Sequence, residues 1–271
     1  MIVSAVSNIA LPAFDHVAEL GQLAGFGIRG LEVAPSRIWH DTWRGLANAD
    51  VAAYRRDIEA AGLEVVGLHS LFFDHPELGL FKEPAARAES LDFLEHLSGV
   101  CRDLGGRTLI YGGGRRRGDV PEAEARRETL AFFGELCQRI EDHGTCFCFE
   151  PLGPKDTDFI NSAFESLAIV EEINHPAVRV QLDAKALVEN DEAVAATFAA
   201  VAPMLVHYHA NEPGLNVLGS SGMIDHKALG DMLHKIGYDG FVSIEQRMLS
   251  PETPLDDIAA SARVLQACYQ K

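Results

Sequence analysis

The stretch CFCFEPLGP, residues 146 to 154, alternates thiol and phenyl side chains and then places a carboxylate, Glu150, directly after the second Phe. A short apolar run is typical of a buried strand, whose side chains alternate between two faces. If Glu150 points to one face, the two cysteines share that face and the two phenylalanines point away from it. A buried carboxylate without a partner costs several kcal/mol. The stretch therefore predicts a strand that ends at a metal ion or at a substrate.

Similar short apolar runs recur along the chain, and each is followed by a longer segment with helical periodicity. The strands are predicted at residues 2–7, 30–34, 64–71, 108–112, 145–150, 178–183, 205–210 and 241–246. The helices are predicted at residues 15–26, 50–61, 83–103, 122–142, 162–172, 192–202, 226–236 and 254–269. This alternation, with no linker to divide it, predicts an α/β fold in which residues 1–271 form a single (β/α)8 TIM barrel domain.

A doubly wound open sheet is the alternative architecture. The first strand-to-helix turn, at residues 7–14, has no G-x-G-x-x-G, and the glycines at 112–118 do not have that spacing either. Dinucleotide binding is therefore unsupported. Side-chain parity agrees with a barrel that has a polar mouth: His209 and His207 are expected to point inward, and Tyr208 and Val206 outward.

The charge of the chain limits its partners. The sequence has 23 Lys and Arg against 40 Asp and Glu, a formal charge of −17, which repels nucleic acids and anionic membranes. No apolar run approaches the roughly 18 residues of a membrane span, and no basic leader precedes the first apolar residues. Five scattered cysteines without a CxxC favour reduced thiols. We therefore expect a cytoplasmic protein with no nucleic-acid or membrane partner, and Leu- and Phe-rich helix faces favour a homo-oligomer.

Four polar residues mark the ends of the last four predicted strands: Glu150, Asp183, His209 and Glu245. In a barrel these ends form the active-site face, so the four side chains are expected to meet. A lone Glu at a strand end is more often a surface or capping group, and a lone His is more often a core residue. Four such residues on consecutive strands favour a divalent metal site. The oxygen-rich set favours Mn²⁺, with Mg²⁺, Co²⁺ or Zn²⁺ as alternatives.

Four motifs around these residues resemble those of the xylose-isomerase-like TIM barrels, the sugar phosphate isomerases and epimerases. They are Phe-Glu-Pro at 149–151, Gln-Leu-Asp at 181–183, His-Tyr-His-Ala-Asn-Glu-Pro at 207–213 and Ser-Ile-Glu at 243–245. The resemblance covers nearly the whole chain. It implies that the four residues bind the metal and that Glu150 and Glu245 also move protons.

The chain departs from the ketose 3-epimerases of this superfamily at two positions. Those enzymes usually carry a His three residues after the metal-binding Asp, where this sequence has Ala186. They also usually carry an Arg six residues after the metal-binding His, where this sequence has Leu215. Both residues help to hold the sugar in that branch. The departures count against epimerisation of a simple free ketose.

The expected activity is that of a metal-dependent isomerase or epimerase acting on a keto-sugar or sugar derivative. A bound cation would stabilise an enediolate while Glu150 and Glu245 remove and return a proton on opposite faces. The alternative is a metal-dependent lyase that dehydrates a keto-polyol such as an inosose. Endonuclease IV shares the superfamily but needs a basic groove, which the charge of −17 disfavours. A non-catalytic metal or sugar binder is a further alternative.

Several weaker candidates for substrate contact surround the four ligands. They are His69 and Glu32 at the ends of the third and second strands, Lys185 directly after Asp183, and Glu212 of the Glu-Pro motif. The loop GGGRRRGD, residues 112 to 119, adds Arg115 and Arg117, which are candidates to clamp a phosphate or carboxylate of an anionic sugar. A solvated basic loop is the ordinary interpretation of those arginines. No Gly-Lys-Ser/Thr follows them, so the loop is not a P-loop.

Overall fold

Eight parallel strands close into a barrel in the computed structural model, which describes residues 1–270. The strands are β1 (Val3–Ser7), β2 (Gly30–Val33), β3 (Glu64–Leu68), β4 (Thr108–Tyr111), β5 (Cys146–Phe149), β6 (Val178–Asp183), β7 (Leu205–Ala210) and β8 (Phe241–Ile244). Each strand pairs with the next along the chain, and β8 pairs with β1 to close the ring. The predicted (β/α)8 barrel is therefore confirmed, and the open sheet is excluded.

The helices surround this barrel. They are α1 (Val17–Leu23), α2 (Asn48–Ala60), α3 (Pro84–Leu104), α4 (Glu122–Arg139), α5 (Ala163–Ile173), α6 (Ala184–Glu189), α7 (Ala195–Val201), α8 (His226–Lys235) and α9 (Pro254–Tyr269). The sequence predicted one helix after β6, whereas the structure has two. Helix α6 starts directly at the end of β6, where the Asp183 side chain caps it, and its six residues are too few to show a helical period.

Two apolar layers fill the structure. The outer layer lies between strands and helices and contains Phe147 and Phe149, whereas a small inner cluster contains Ile110, Cys146 and Cys148. This arrangement follows the predicted alternation along β5. Val206, expected on the outer side, instead packs against the inner cluster.

A register shift in the pairing of β6 with β7 explains the position of Val206. Val180 pairs with Leu205 and Gln181 pairs with His207, so Val206 is an extra residue without a partner. Such a bulge interrupts the strict alternation of side chains.

Residues 1–270 contain no disulfide, and none of the helices among them is both long and apolar enough to cross a bilayer.

Candidate metal centre

The ends of the last four strands bring the four predicted ligands together. Asp183 is the last residue of β6 and His209 lies near the end of β7, while Glu150 and Glu245 directly follow β5 and β8. One ligand atom from each of the four residues lies within 4.8 Å of the others. Side chains more than 90 residues apart in sequence thus share one site, because the barrel places all carboxyl ends of its strands at one face.

The Nδ1 atom of His209 is the common neighbour of the three carboxylates. It lies 2.9 Å from Glu150 Oε1, 3.5 Å from Glu245 Oε2 and 3.9 Å from Asp183 Oδ2. All four residues are buried except Glu245, whose side chain is 17% exposed. The site is therefore a small concentration of negative charge that is largely withdrawn from water.

The pKa values of Asp183 and Glu245 reflect this crowding. Burial, together with the negative charges of Glu150 and Glu245, raises the pKa of Asp183 to about 8. Burial also raises the pKa of Glu245, and the Glu150 carboxylate adds to that shift. A divalent cation would relieve this repulsion, and three carboxylates with one imidazole form a donor set of the kind that Mn²⁺ or Mg²⁺ accepts. The cluster fits such an ion and could bind it.

A second polar layer lies beneath His209, inside the barrel. Glu32 places Oε2 3.0 Å from His209 Nε2 and Oε1 3.0 Å from His207 Nε2, and the Ser243 hydroxyl donates to Glu32 Oε2 at 2.9 Å. Burial opposes ionisation of Glu32, but the neighbouring His209 and His207 outweigh it and hold its pKa well below the usual range. Likewise burial opposes a charge on His209, and Glu32 and Glu245 raise its pKa well above the usual value.

This layer changes the role expected for Glu32. Its carboxylate is completely buried and contacts two imidazoles and a hydroxyl rather than an open cavity. The sequence-based expectation of a direct substrate contact is thus replaced by an orienting contact. A carboxylate on the far nitrogen of a ligating His fixes the orientation of the ring and its tautomer.

Replacing Glu32 by Gln should therefore weaken cation binding about 10- to 100-fold, because the His209 ring loses its anionic partner. Titration calorimetry with Mn²⁺ on protein stripped with EDTA measures the effect. Glu64→Gln, the same change at the exposed first residue of β3, is the matched control. Equal Mn²⁺ affinity in both variants would contradict the orienting role of Glu32.

Two amides that sequence reasoning did not select donate hydrogen bonds to the carboxylates of the candidate ligands. Gln181 donates from Nε2 to Glu150 Oε1 at 2.8 Å. Asn211 donates from Nδ2 both to Asp183 Oδ2 and to Glu245 Oε2, and its Oδ1 accepts from the Lys185 main-chain N–H. The sequence could have predicted both amides, because residues two apart on a strand point to the same face. Gln181 lies two residues before Asp183, and Asn211 lies two residues after His209.

The site opens into a cavity of about 340 Å³, lined by His69, Glu150, His209, Glu245 and the segments 70–73 and 110–114. Gly112 forms the wall against Glu150, where a β-carbon would collide with Oε2 of that carboxylate. A side chain at position 112 would therefore displace Glu150. The glycine is required here for close approach and not for an unusual φ.

His69 lines this cavity, as the sequence suggested. It directly follows β3, and its Nε2 lies 2.6 Å from the Ser7 hydroxyl while Nδ1 lies 3.9 Å from Glu245 Oε1. Burial lowers the pKa of His69 to about 4, so the ring is neutral near pH 7. Its role in binding substrate stays a prediction.

Lys185 and Glu212 point elsewhere than predicted. Lys185 donates from Nζ to Asp156 at 2.7 Å and to Glu189 at 3.0 Å, and it does not line the cavity over the cluster. Glu212 is completely buried and accepts hydrogen bonds from the Gly219 N–H, the Ser221 hydroxyl and His226 Nε2. Glu212 thus anchors the loop that precedes α8, and Lys185 ties the loop after β5 to α6.

The arginines of the GGGRRRGD loop also differ from the prediction. Arg115 is buried, and its five N–H groups all donate to main-chain oxygens, those of Tyr111, Gly112, Glu150, Phe159 and Ile160. No donor of Arg115 is left for a substrate. Arg117 donates to the main-chain oxygens of Asp158 and Val120 and lies outside the cavity over the cluster. The loop therefore uses these two side chains for its own structure.

Comparison with solved structures gives the same fold. The chain superposes on D-psicose 3-epimerase with D-tagatose from Clostridium cellulolyticum H10 with a TM-score of 0.83 at 17% identity, over 100% of both chains. It superposes on 3-keto-D-glucoside 4-epimerase from E. coli with a TM-score of 0.80 at 18% identity, over 99% of this chain and 100% of the other. At these identities the likeness shows the fold alone.

Sequence comparison adds curated relatives. The chain is 24% identical to ketose 3-epimerase of Arthrobacter globiformis over 63% of its own length and 61% of that protein. It is 30% identical to D-psicose 3-epimerase of Ruminiclostridium cellulolyticum over 41% of its own length and 38% of that protein. The matches thus span less than two thirds of these relatives. A family model, Xylose isomerase-like TIM barrel, matches residues 20–268, nearly the whole sequence. The chain therefore belongs to the xylose isomerase-like TIM barrel family.

Proposed function

We propose that the protein is a divalent-metal-dependent isomerase or epimerase that acts on a keto-sugar or sugar derivative by proton transfer. Glu150, Asp183, His209 and Glu245 would hold the ion, with Mn²⁺ proposed and Mg²⁺, Co²⁺ or Zn²⁺ as alternatives. When bound, the cation would polarise a substrate carbonyl and so acidify the neighbouring C–H. The names of the relatives, which are sugar 3-epimerases, support this choice over dehydration.

One observation carries the proposal: two carboxylates that follow different strands line one cavity, and each keeps an oxygen that accepts no hydrogen bond within residues 1–270. Glu150 uses Oε1 to contact Gln181 and His209, while its Oε2 makes no hydrogen bond within residues 1–270. Glu245 uses Oε2 to accept from Asn211, and its Oε1 likewise has no hydrogen bond in that range. In each carboxylate, one oxygen is thus held by hydrogen bonds from the protein, and the other is available to accept a proton.

The proposed reaction uses these two oxygens in turn. Glu150 Oε2 accepts the proton of a carbon next to the substrate carbonyl, and Glu245 Oε1 delivers a proton to the opposite face, which inverts that carbon. Reversing the roles returns the original epimer. Delivery to the neighbouring carbon instead gives isomerisation. Gln181 and Asn211 keep the two carboxylates in place, and His69 is a neutral hydrogen-bonding group beside the substrate hydroxyls.

The test incubates Mn²⁺-loaded protein with a panel of keto-sugars in D₂O and follows deuterium at each carbon by NMR. Incorporation at one carbon with inversion is expected. A product that has lost water would favour the lyase, and incorporation at two adjacent carbons would favour isomerisation. Sugars that bind without any exchange of hydrogen would overturn the proposal and leave a non-catalytic binder.

A further inference from the structure

A second cavity, of about 330 Å³, lies beside the one over the metal cluster. The two cavities share three lining residues, Ser70, Phe73 and Glu245. Glu245 is thus a wall of both. A substrate that presents a carbon to Glu245 from the first cavity therefore lies next to the second.

The two cavities differ in charge. Glu150 and Glu245 line the first cavity together with two histidines, and no Lys or Arg is among its lining residues. Arg37 and Arg247 line the second, where Glu245 is the single acidic residue of the lining. In a chain with a formal charge of −17, this is a local concentration of positive charge next to the proposed reaction centre.

Hydrogen-bond donors in the second cavity lack acceptors. The Arg37 guanidinium donates from Nη2 to the Leu11 main-chain oxygen at 2.7 Å, but its buried Nε has no partner within residues 1–270. The buried hydroxyl of Ser36, which also lines the cavity, has none either in that range. An unpaired buried donor is unfavourable, and both residues lack an acceptor in the described part of the chain where they form this wall of the cavity.

Arg247 lies beside the position where the chain departs from the ketose 3-epimerases. Leu215, which stands in place of their usual Arg, lines the second cavity, and its main-chain oxygen accepts from the Arg247 N–H at 3.0 Å. The Arg247 side chain is exposed and forms no hydrogen bond or ion pair within residues 1–270. A guanidinium is therefore available at this wall, but it comes from the segment after β8.

We propose, resting on the proposed function, that the second cavity binds an anionic group at the far end of the keto-sugar, a carboxylate or a phosphate, through Arg37 and Arg247. Planar guanidinium groups bind both anions with paired hydrogen bonds. The loop arginines are the rival site, because Arg116 and its neighbours line another cleft. That cleft adjoins the first cavity through Phe72 and residues 112–114 but, unlike the second cavity, is not lined by any of the four cluster residues. The preferred substrate is accordingly an acidic or phosphorylated keto-sugar rather than a neutral one.

The test compares three probes with the same carbon skeleton: D-fructose, D-fructose 6-phosphate and D-fructuronate. Affinity is measured by titration calorimetry with Mn²⁺-loaded protein, and reaction by hydrogen exchange in D₂O. At least one anionic probe is expected to bind about 10- to 100-fold more tightly than D-fructose, with the stronger of the two identifying phosphate or carboxylate as the natural group. Arg247→Gln should remove this preference, whereas Arg116→Gln should keep both the preference and the affinity for D-fructose.

The outcomes separate this inference from the proposed function. Exchange with neutral and anionic probes at equal efficiency would keep the isomerase or epimerase and overturn the anion site. Anionic probes that bind through Arg247 without any exchange would keep the anion site and overturn the reaction. A preference that survives Arg247→Gln and Arg37→Gln, or one that Arg116→Gln removes, would overturn the assignment to the second cavity.

Discussion

Replacing Glu150 by Gln is expected to lower the turnover number about 10²- to 10⁴-fold, because the neutral amide cannot take a proton from the substrate carbon. The change keeps the size of the side chain and the contact with Gln181. It also removes one carboxylate from the candidate metal site, so the assay must be run with Mn²⁺ at a concentration that saturates the variant. Hydrogen exchange between substrate and D₂O, followed by NMR, measures the loss.

A second variant tests whether the position of the Glu150 carboxylate matters as well as its charge. Gly112→Ala leaves the Glu150 carboxylate present but pushes its Oε2 out of position, since the new β-carbon occupies that space. We expect an intermediate loss of turnover with the overall fold intact. Gly134→Ala, on α4 where an added β-carbon meets no atom within 4 Å, is the matched control.

If Glu150→Gln exchanges hydrogen at the rate of the unchanged protein, Glu150 is not a base.

Replacing Arg115 by Met should destabilise the fold by about 3–5 kcal/mol, because each buried oxygen left without a donor costs about 1–3 kcal/mol. Arg115 satisfies five main-chain oxygens around the carboxyl ends of β4 and β5, and methionine fills a similar volume but donates no hydrogen bond. One of these oxygens belongs to Ile160, which has a φ of 60°, a left-handed conformation that is unfavourable for a β-branched residue. Removing the guanidinium leaves the main-chain oxygens of Gly112, Glu150 and Ile160 without a donor, whereas those of Tyr111 and Phe159 keep the Glu150 N–H and the Thr157 hydroxyl.

Urea unfolding of EDTA-treated protein measures this loss without a contribution from bound metal. Arg116→Met, at the exposed neighbouring position, is the control and should change stability by less than about 0.5 kcal/mol. Arg115→Lys keeps the charge and some of the donors, so it should fall between the two and provides a folded variant if the methionine does not fold. Equal urea midpoints for Arg115→Met and Arg116→Met would contradict the structural role.

The barrel itself was predictable from the sequence, because strands and helices leave different periodicities in the pattern of apolar residues. The last helix, α9, begins and ends where the pattern predicted it, at Pro254 and Tyr269. Helix α6 was not predictable in this way, because its length is below two turns. The inward position of Val206 was also hidden, since a bulge depends on pairing with the neighbouring strand and leaves no local signal.

The sequence also predicted that the four candidate ligands meet at one site. A residue at the carboxyl end of a parallel strand has its position and its facing direction set by the barrel. No such rule applies beyond the strand ends, where three of the predicted substrate contacts lie: Arg115, Lys185 and Glu212. Each of these side chains forms hydrogen bonds or ion pairs with other protein groups and does not line the cavity. Arg37 and Arg247 could not be predicted from the sequence for the same reason, because only the folded chain shows that both line the second cavity.

The buried layer of Glu32, His207 and Ser243 has a further consequence for the exchange of protons with solvent. These residues are completely buried beneath His209, inside a closed ring of strands. A hydrogen held between His209 Nε2 and Glu32 therefore has no direct contact with bulk water, so its exchange with solvent should be slow. Its exchange lifetime is a measure of how well the barrel interior beneath His209 excludes solvent.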